Sequence, residues 1–254
     1  MRRQFLLASV GAIAIVGSAF AAEPLPPPPP PPPFSWTGLY AGIQAGYAWD
    51  RDPVTVTSFL PAIFVPGLPA FFVVNNLSDN PKGVIGGVHA GYNLQINQWV
   101  LGFEGAVDGT SVHANLFSPL GFATLNTRSD IQGSIRLRGG IAFDRVLLYA
   151  TGGAAFAGIT TIYTTSVPFF LTESDSKTRS GWTVGGGLAY ALTNNWSIRA
   201  EYRYSDFGHT IDYPFAVLIS PFGRFSVQHH LTQNQVQFGL SYKFDTMAPV
   251  VARY

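Results

Sequence analysis

The chain has 254 residues, which allows one large domain or two small ones. Only 11% of the residues are charged, against about 25% in a typical soluble domain, whereas aromatic residues reach 14%. So few charges exclude an ordinary water-facing surface, and the lack of cysteine excludes disulfides and thiolate metal sites. Beyond the N-terminus no apolar run approaches the roughly 20 residues that a membrane helix requires. This combination predicts a membrane protein that crosses with strands.

The N-terminus has the organisation of a secretory signal peptide. Arg2 and Arg3 form a basic region, an apolar stretch follows at residues 5–16, and small residues at 19–21 offer a cleavage site. We predict that residues 1–21 are removed. The mature chain then keeps 13 of the 15 basic residues against 14 acidic ones, so no basic excess indicates nucleic acid as a partner.

A proline tract separates this signal from the first strand. Eight consecutive prolines run from Pro26 to Pro33 and favour a stiff polyproline II rod without donors for a sheet. We interpret residues 22–35 as a proline-rich periplasmic linker. A ligand for a proline-binding module is the alternative.

Most of the remaining chain alternates between apolar and polar residues. The last strand shows the pattern most clearly, with one apolar face (Val236, Phe238, Leu240, Tyr242 and Phe244) and one polar face (Gln235, Gln237, Gly239, Ser241 and Lys243). A period of two with such different faces predicts a β-strand between two different media. In a membrane barrel these media are lipid and the lumen.

The same period predicts eight strands, at residues 39–49, 84–96, 99–110, 130–143, 146–159, 181–192, 196–207 and 235–244. The predicted fold is all-β: an eight-stranded antiparallel up-and-down transmembrane β-barrel over residues 36–244, with a short tail at 245–254. Three connections are tight, and four are long, at residues 50–83, 111–129, 160–180 and 208–234. Because bacterial barrels keep short turns in the periplasm, both termini are predicted to be periplasmic.

Aromatic residues fall where the two membrane interfaces would lie. We predict an inner girdle of Trp36, Trp99, Trp196 and Phe244, and an outer girdle of Trp49 and Trp182.

Charged residues recur on the predicted lumen face of several strands. They are three acidic residues, Glu104, Asp108 and Glu201, and five basic ones, Arg136, Arg138, Arg199, Arg203 and Lys243. An eight-stranded barrel is just wide enough for its side chains to fill it, and buried charges must pair. We therefore expect a structural plug of ion pairs. The alternative is a narrow pore whose basic excess favours anions.

Histidine and serine were the candidates for binding or catalysis. His89 is predicted in the lumen, whereas His113, His209, His229 and His230 fall in or near outer loops, where a haem or metal site is the alternative interpretation. Their spacing matches no zinc motif, and Ser205 near His209 lacks the orienting group of a catalytic site. We therefore predict no enzyme, no metal and no cofactor.

All four long connections have an apolar, proline-bearing centre, such as SFLPAIFVPGLPAFFVV at residues 58–74. These centres are interpreted either as a packed cap over the barrel or as an exposed patch for a hydrophobic ligand, a partner protein or lipopolysaccharide.

Three stretches resemble a known family. FSWTGLYAGIQAGYAW, LLYATGGAAFA and VQFGLSYKF are similar to the small outer-membrane β-barrel proteins of the RopB and outer-membrane immunogenic protein family, within the OmpA-like membrane-domain superfamily. The resemblance implies a surface antigen that contributes to envelope integrity among outer-membrane lipid and lipopolysaccharide. It also implies recognition by the barrel-assembly machinery through Gly239, Tyr242 and Phe244. The tail at 245–254 departs from the many barrels that end at the terminal Phe.

Overall fold

The computed structural model describes residues 34–60, 69, 71–117, 123–165, 171–213 and 224–244. Within these ranges no helix has the length and apolar character needed to cross a membrane. The described residues form ten strands: β1 (Gly38–Leu60), β2 (Phe71–Asp79), β3 (Lys82–Ile96), β4 (Trp99–Thr110), β5 (His113–Phe117), β6 (Ala123–Phe143), β7 (Val146–Thr165), β8 (Leu171–Ala191), β9 (Trp196–Asp212) and β10 (Arg224–Lys243).

Eight of these strands close into a ring, in the order β1, β10, β9, β8, β7, β6, β4, β3 and back to β1. Every neighbouring pair in the ring is antiparallel. The first and last strands meet with Ile43 opposite Leu240. Closure pairs the backbone of every strand on both sides, which a sheet in lipid requires because unpaired amides are costly there. The predicted eight-stranded up-and-down barrel is therefore confirmed.

Side chains of the ring alternate between an apolar outer wall and a polar interior. On β1, Ile43 is 61% exposed, whereas its neighbour Gln44 is 4% exposed. On β6, Leu137 is 72% exposed between the buried arginines Arg136 and Arg138. An exposed apolar wall around a polar lumen is the arrangement of a barrel in lipid.

One end of the barrel has three tight turns, as predicted. Asn97 joins β3 to β4 and Asp144 joins β6 to β7, with positive φ angles of 55° and 52° that Asn and Asp tolerate better than other non-glycine residues. Between β8 and β9, the Thr193 hydroxyl accepts hydrogen bonds from the backbone N–H groups of Asn195 (3.2 Å) and Trp196 (2.9 Å).

At the other end the strands continue well past the apolar band. β1 runs to Leu60 and β2 pairs back along its outer half, while β5 pairs with the outer half of β6. The predicted loops at 50–83 and 111–129 therefore contain strands, which corrects the sequence interpretation. The prediction ended each strand where the outward side chains cease to be apolar, but backbone pairing between β-branched and polar residues does not need lipid.

The lumen is filled in layers. Nearest the tight turns lies an apolar floor of Trp36, Val100, Ala142, Leu147, Tyr149, Ala189 and Ala191. Charged side chains follow, and two apolar clusters lie beyond them, one of Ala48, Ile85 and Val112 and one containing Ala155, Ala157, Ile159 and Phe207. Gly239 leaves space for these charges, because a Cβ there would lie 2.9 Å from Nε of Arg199.

Candidate functional site

Glu104 on β4 is the centre of the lumen charges. Its carboxylate accepts hydrogen bonds from three guanidinium groups, those of Arg136 and Arg138 on β6 and of Arg199 on β9. The Arg138 contact is 2.9 Å, and the hydroxyl of Tyr40 donates to the same oxygen at 2.8 Å. Glu104 is completely buried, so these donors replace the water that its charge would otherwise require.

Arg136 joins Glu104 to a second carboxylate, Glu201 on β9. Glu201 also accepts hydrogen bonds from Nη2 of Arg203 at 2.9 Å and from the hydroxyl of Tyr149 at 3.0 Å. Arg136 and Glu104 are each 0% exposed and Glu201 is 1% exposed at the side chain, so this chain of ion pairs crosses the lumen without contact with bulk water.

The third carboxylate, Asp108, is held mainly by an amide. Nε2 of Gln44 donates to Asp108 at 2.6 Å, while the closest contact from Arg203 is 3.9 Å. The oxygen of the same Gln44 amide accepts from Arg199 at 2.5 Å. Gln44 therefore couples the Asp108 and Glu104 groups. We call the seven residues Glu104, Asp108, Arg136, Arg138, Arg199, Glu201 and Arg203 the lumen network.

The lumen network leaves little open space beside it. A cavity of 20 Å³ lies between the network and the tight-turn end, and a second of 10 Å³ lies beside Asp108, Gln132 and Arg203. Each holds about one water molecule. Ion pairs of the lumen network lie between these two spaces.

Lys243 was predicted in this network, and the structure places it elsewhere. Its Nζ donates to the backbone carbonyl of Ser35 and lies 4.6 Å from the ring centre of Phe34. The physical reason is its position as the last residue of β10, at the rim, where the long side chain reaches the segment that precedes β1.

Trp36 was predicted to face lipid in the inner girdle, and this prediction is wrong. Its side chain is 5% exposed within the apolar floor, and its indole N–H donates to the carbonyl of Asp144 at 3.3 Å. Trp36 precedes the first strand, so the alternation of a strand does not apply to it. Its backbone N–H instead donates to the side chain of Gln95 at 2.8 Å, which turns the ring under the barrel.

The other five predicted girdle residues lie on the outer wall. Their exposed fractions are 38% for Trp49, 62% for Trp99, 50% for Trp182, 44% for Trp196 and 45% for Phe244. Of the predicted assembly signal, Tyr242 packs edge-on against Phe244 with ring centres 5.3 Å apart, and Gly239 faces Arg199 in the lumen.

The histidines have ordinary structural partners. His89 is buried and its Nε2 lies 2.8 Å from the hydroxyl of Ser241. His229 is buried with Nδ1 3.0 Å from Asp52, and His209 stacks on His230. In the part of the chain that the structure describes, no group of three or more potential ligands could hold a metal ion.

Ser205 and His209 likewise have separate partners. The Ser205 hydroxyl donates to Thr183 at 2.9 Å inside the lumen, whereas the His209 ring is half of the stacked pair with His230. The apolar loop centres, which carry the cap and patch hypotheses, lie mostly outside the described residues.

Sequence reasoning missed the partners that are not charged. Tyr40, Tyr149 and Gln44 complete the hydrogen bonds of all three carboxylates. Their inward position follows from the alternation, but the stagger between strands decides which carboxylate each of them reaches. Asp52, which holds His229, was missed because it lies beyond the predicted end of the first strand.

Asp50 gives the barrel a pH-dependent stability. It lies just past Trp49, where the outward residue of β1 becomes the charged Arg51, and its Oδ1 is buried without a hydrogen-bond partner. Burial raises the pKa of Asp50 to about 7 from an ordinary value of 3.8, while a hydrogen bond with Gln233 opposes this increase and the charge of Asp52 adds to it. Between these two values the unfolded chain loses the proton first, so the stability of the fold decreases as pH rises from about 4 to about 7.

Asp50→Asn should therefore stabilise the protein at pH 8, by about 1–4 kcal/mol, and should give no such gain at pH 4. Urea unfolding of the refolded barrel at the two pH values measures the difference. An equal effect at both pH values would show that Asp50 is ionised normally in the folded protein.

Comparisons with known proteins identify the family of this chain. A family model described as "Outer membrane protein beta-barrel domain" matches residues 12–244. The chain is 34% identical to the 31 kDa outer-membrane immunogenic protein of Brucella melitensis biotype 1, over 95% of this chain and 100% of that protein. It is 32% identical to the 22 kDa outer membrane protein of Rhizobium leguminosarum bv. viciae, over 64% of this chain and 67% of that protein.

Among solved structures, OprG from Pseudomonas aeruginosa matches 83% of this chain and 97% of its own, with 13% identity and a TM-score of 0.46. The sequence relatives confirm the resemblance to outer-membrane immunogenic proteins. This chain belongs to the outer membrane protein β-barrel family, and it is a protein of the bacterial outer membrane.

Proposed function

We propose that this protein is a non-enzymatic structural protein of the outer membrane. It contributes to envelope integrity, is exposed as a surface antigen, and has a lumen closed by ion pairs. The lumen network carries the proposal. Arg136 forms ion pairs with both Glu104 and Glu201, and the side chains of these three residues are 0–1% exposed. Arg138 and Arg199 form further ion pairs with Glu104. A barrel held in this way resists solute flow while its outer wall anchors it in lipid.

The surface-antigen part is supported by the relatives, which are named outer-membrane immunogenic proteins. It is also supported by the long strand extensions at one end, where β7 and β8 pair as far as Thr165 and Leu171. We place this end outside the cell and the tight turns in the periplasm, because short turns are periplasmic in bacterial barrels.

A complementation experiment tests both parts. Deletion of the gene should increase sensitivity to detergent, and the wild-type gene should restore resistance; unchanged sensitivity would contradict the envelope role.

Because the chain has no cysteine, single-cysteine variants can report exposure in the same cells. We expect a membrane-impermeant maleimide to label Ser174→Cys, near the start of β8, on intact cells, but to label Gln98→Cys, in a tight turn, only after permeabilisation. The reverse pattern would place the antigenic end inside.

The second candidate function is a narrow diffusion pore. It is favoured by the basic excess of the lumen network and by the two water-sized cavities on either side of it. Liposomes that contain the folded protein should not swell in small sugars or amino acids if the plug proposal is correct. Swelling that Gly239→Ala alters would favour the pore.

A further inference from the structure

The tight-turn end of the lumen contains a partly enclosed cavity with an unusual lining. Its volume is 20 Å³, and its walls include Trp36, Tyr40 and Ala189 as well as the basic residues Arg138, Arg199 and Lys243. None of the described residues that line it is acidic. The charged groups among the described lining residues are therefore all basic.

The charges around this cavity do not balance. Within the lumen network, four guanidinium groups face three carboxylates, and all seven side chains are at most 4% exposed. A buried net positive charge is costly unless a counter-ion compensates it. The excess is nearest the cavity, because Arg138 and Arg199 share the single carboxylate Glu104 with Arg136.

Arg138 has one carboxylate partner, Glu104, and two aromatic neighbours. Nη2 donates to Glu104, but Nε is buried without an acceptor. The guanidinium carbon lies 4.1 Å from the ring centre of Tyr149 and 5.5 Å from that of Tyr40. These rings attract the cation through their π faces but carry no formal charge, so the net charge remains.

We propose that this cavity binds a monovalent inorganic anion, chloride under ordinary conditions, against Arg138 and Arg199, which line it. The volume suits a monatomic ion or one water molecule. The anion neutralises the excess charge of the lumen network and so stabilises the plug. The site differs from the plug itself, since it can be emptied or filled while Glu104 keeps its ion pairs.

Heat unfolding in chloride and in gluconate at equal ionic strength tests the proposal, because gluconate is too large for the cavity. Chloride should raise the midpoint of the gel-mobility transition by roughly 3–5 °C at tenfold excess over its dissociation constant, and the midpoint should keep rising with the logarithm of the chloride concentration. Equal midpoints in the two salts would overturn the proposal.

A pair of alanine variants locates the effect. Ala189→Val fills the cavity with methyl groups and should abolish the chloride dependence, while Ala157→Val adds the same groups to an apolar cluster beyond the network and should retain it. Retention of the dependence in both variants would place the ion elsewhere. If Ala189→Val does not fold, wild-type crystals grown in bromide decide the question. An anomalous peak in the cavity beside Arg138 and Arg199 supports the site. A cavity without an anomalous peak from bromide overturns it.

Discussion

Glu104→Gln is expected to destabilise the barrel by about 3–5 kcal/mol. The substitution removes the one carboxylate shared by Arg136, Arg138 and Arg199 while retaining its shape. Three buried guanidinium groups then have only Glu201 as a directly paired carboxylate, through Arg136. The loss is large because the cost of an uncompensated buried charge exceeds the net gain of an intact pair. Urea unfolding, followed by the gel mobility of unheated samples, measures it.

Asp130→Asn is the matched control. It makes the same chemical change on β6, but the partner Arg128 lies 3.5 Å away and both side chains are about 60% exposed. Exposed pairs contribute about 0–1 kcal/mol, so this variant should unfold almost like the wild type. Equal losses in the two variants would mean that water reaches Glu104 and that the lumen is not dry.

Trp36→Ala is expected to cost a similar amount, about 3–5 kcal/mol, because it removes a large buried side chain from the floor of the lumen. Trp36 is part of the apolar floor. Phe34 packs edge-on against the ring of Trp36, with ring centres 5.1 Å apart. Truncation should also open the tight-turn end to water. Unfolding in urea measures the loss of stability.

Trp99→Ala provides the comparison for Trp36. Trp99 is 62% exposed on the outer wall, where lipid or detergent can fill the space that the ring leaves. A lipid-facing truncation of this kind should therefore cost much less than one in the floor. If Trp36→Ala unfolded no earlier than Trp99→Ala, Trp36 would face lipid, as the sequence alone had suggested.

The fold of this chain is readable from sequence because one face of each strand meets lipid and the other meets the lumen. Only an extended strand with a fixed facing can place Leu137 in lipid while its neighbours Arg136 and Arg138 point into the lumen. Tight turns add a second signal, since Asn97 and Asp144 tolerate the positive φ that ends a strand sharply. The number, order and facing of the eight ring strands follow from these local rules, whereas β2 and β5, which lie beyond the apolar band, do not.

The site is less predictable, because facing does not specify depth or partner. Arg136 reaches both Glu104 and Glu201 only through the stagger of β4, β6 and β9, which the sequence does not state. Lys243 has the correct facing but lies at the rim, and Trp36 lies outside any strand. At the ends of strands, packing at the rim of the barrel decides where a side chain points, rather than the alternation of the strand. The failed predictions are concentrated at these ends.

The claim that the lumen is closed by ion pairs is tested most directly by single-channel recording. The refolded mature protein, verified by its gel mobility before heating, is placed in a planar bilayer beside a variant with Arg199→Ala and Arg203→Ala. If the proposed plug is correct, the wild type should be electrically silent, because the side chains of the lumen network are at most 4% exposed. Steady, discrete openings of the wild type whose ion selectivity changes in the variant would contradict the plug and establish a pore lined by those arginines.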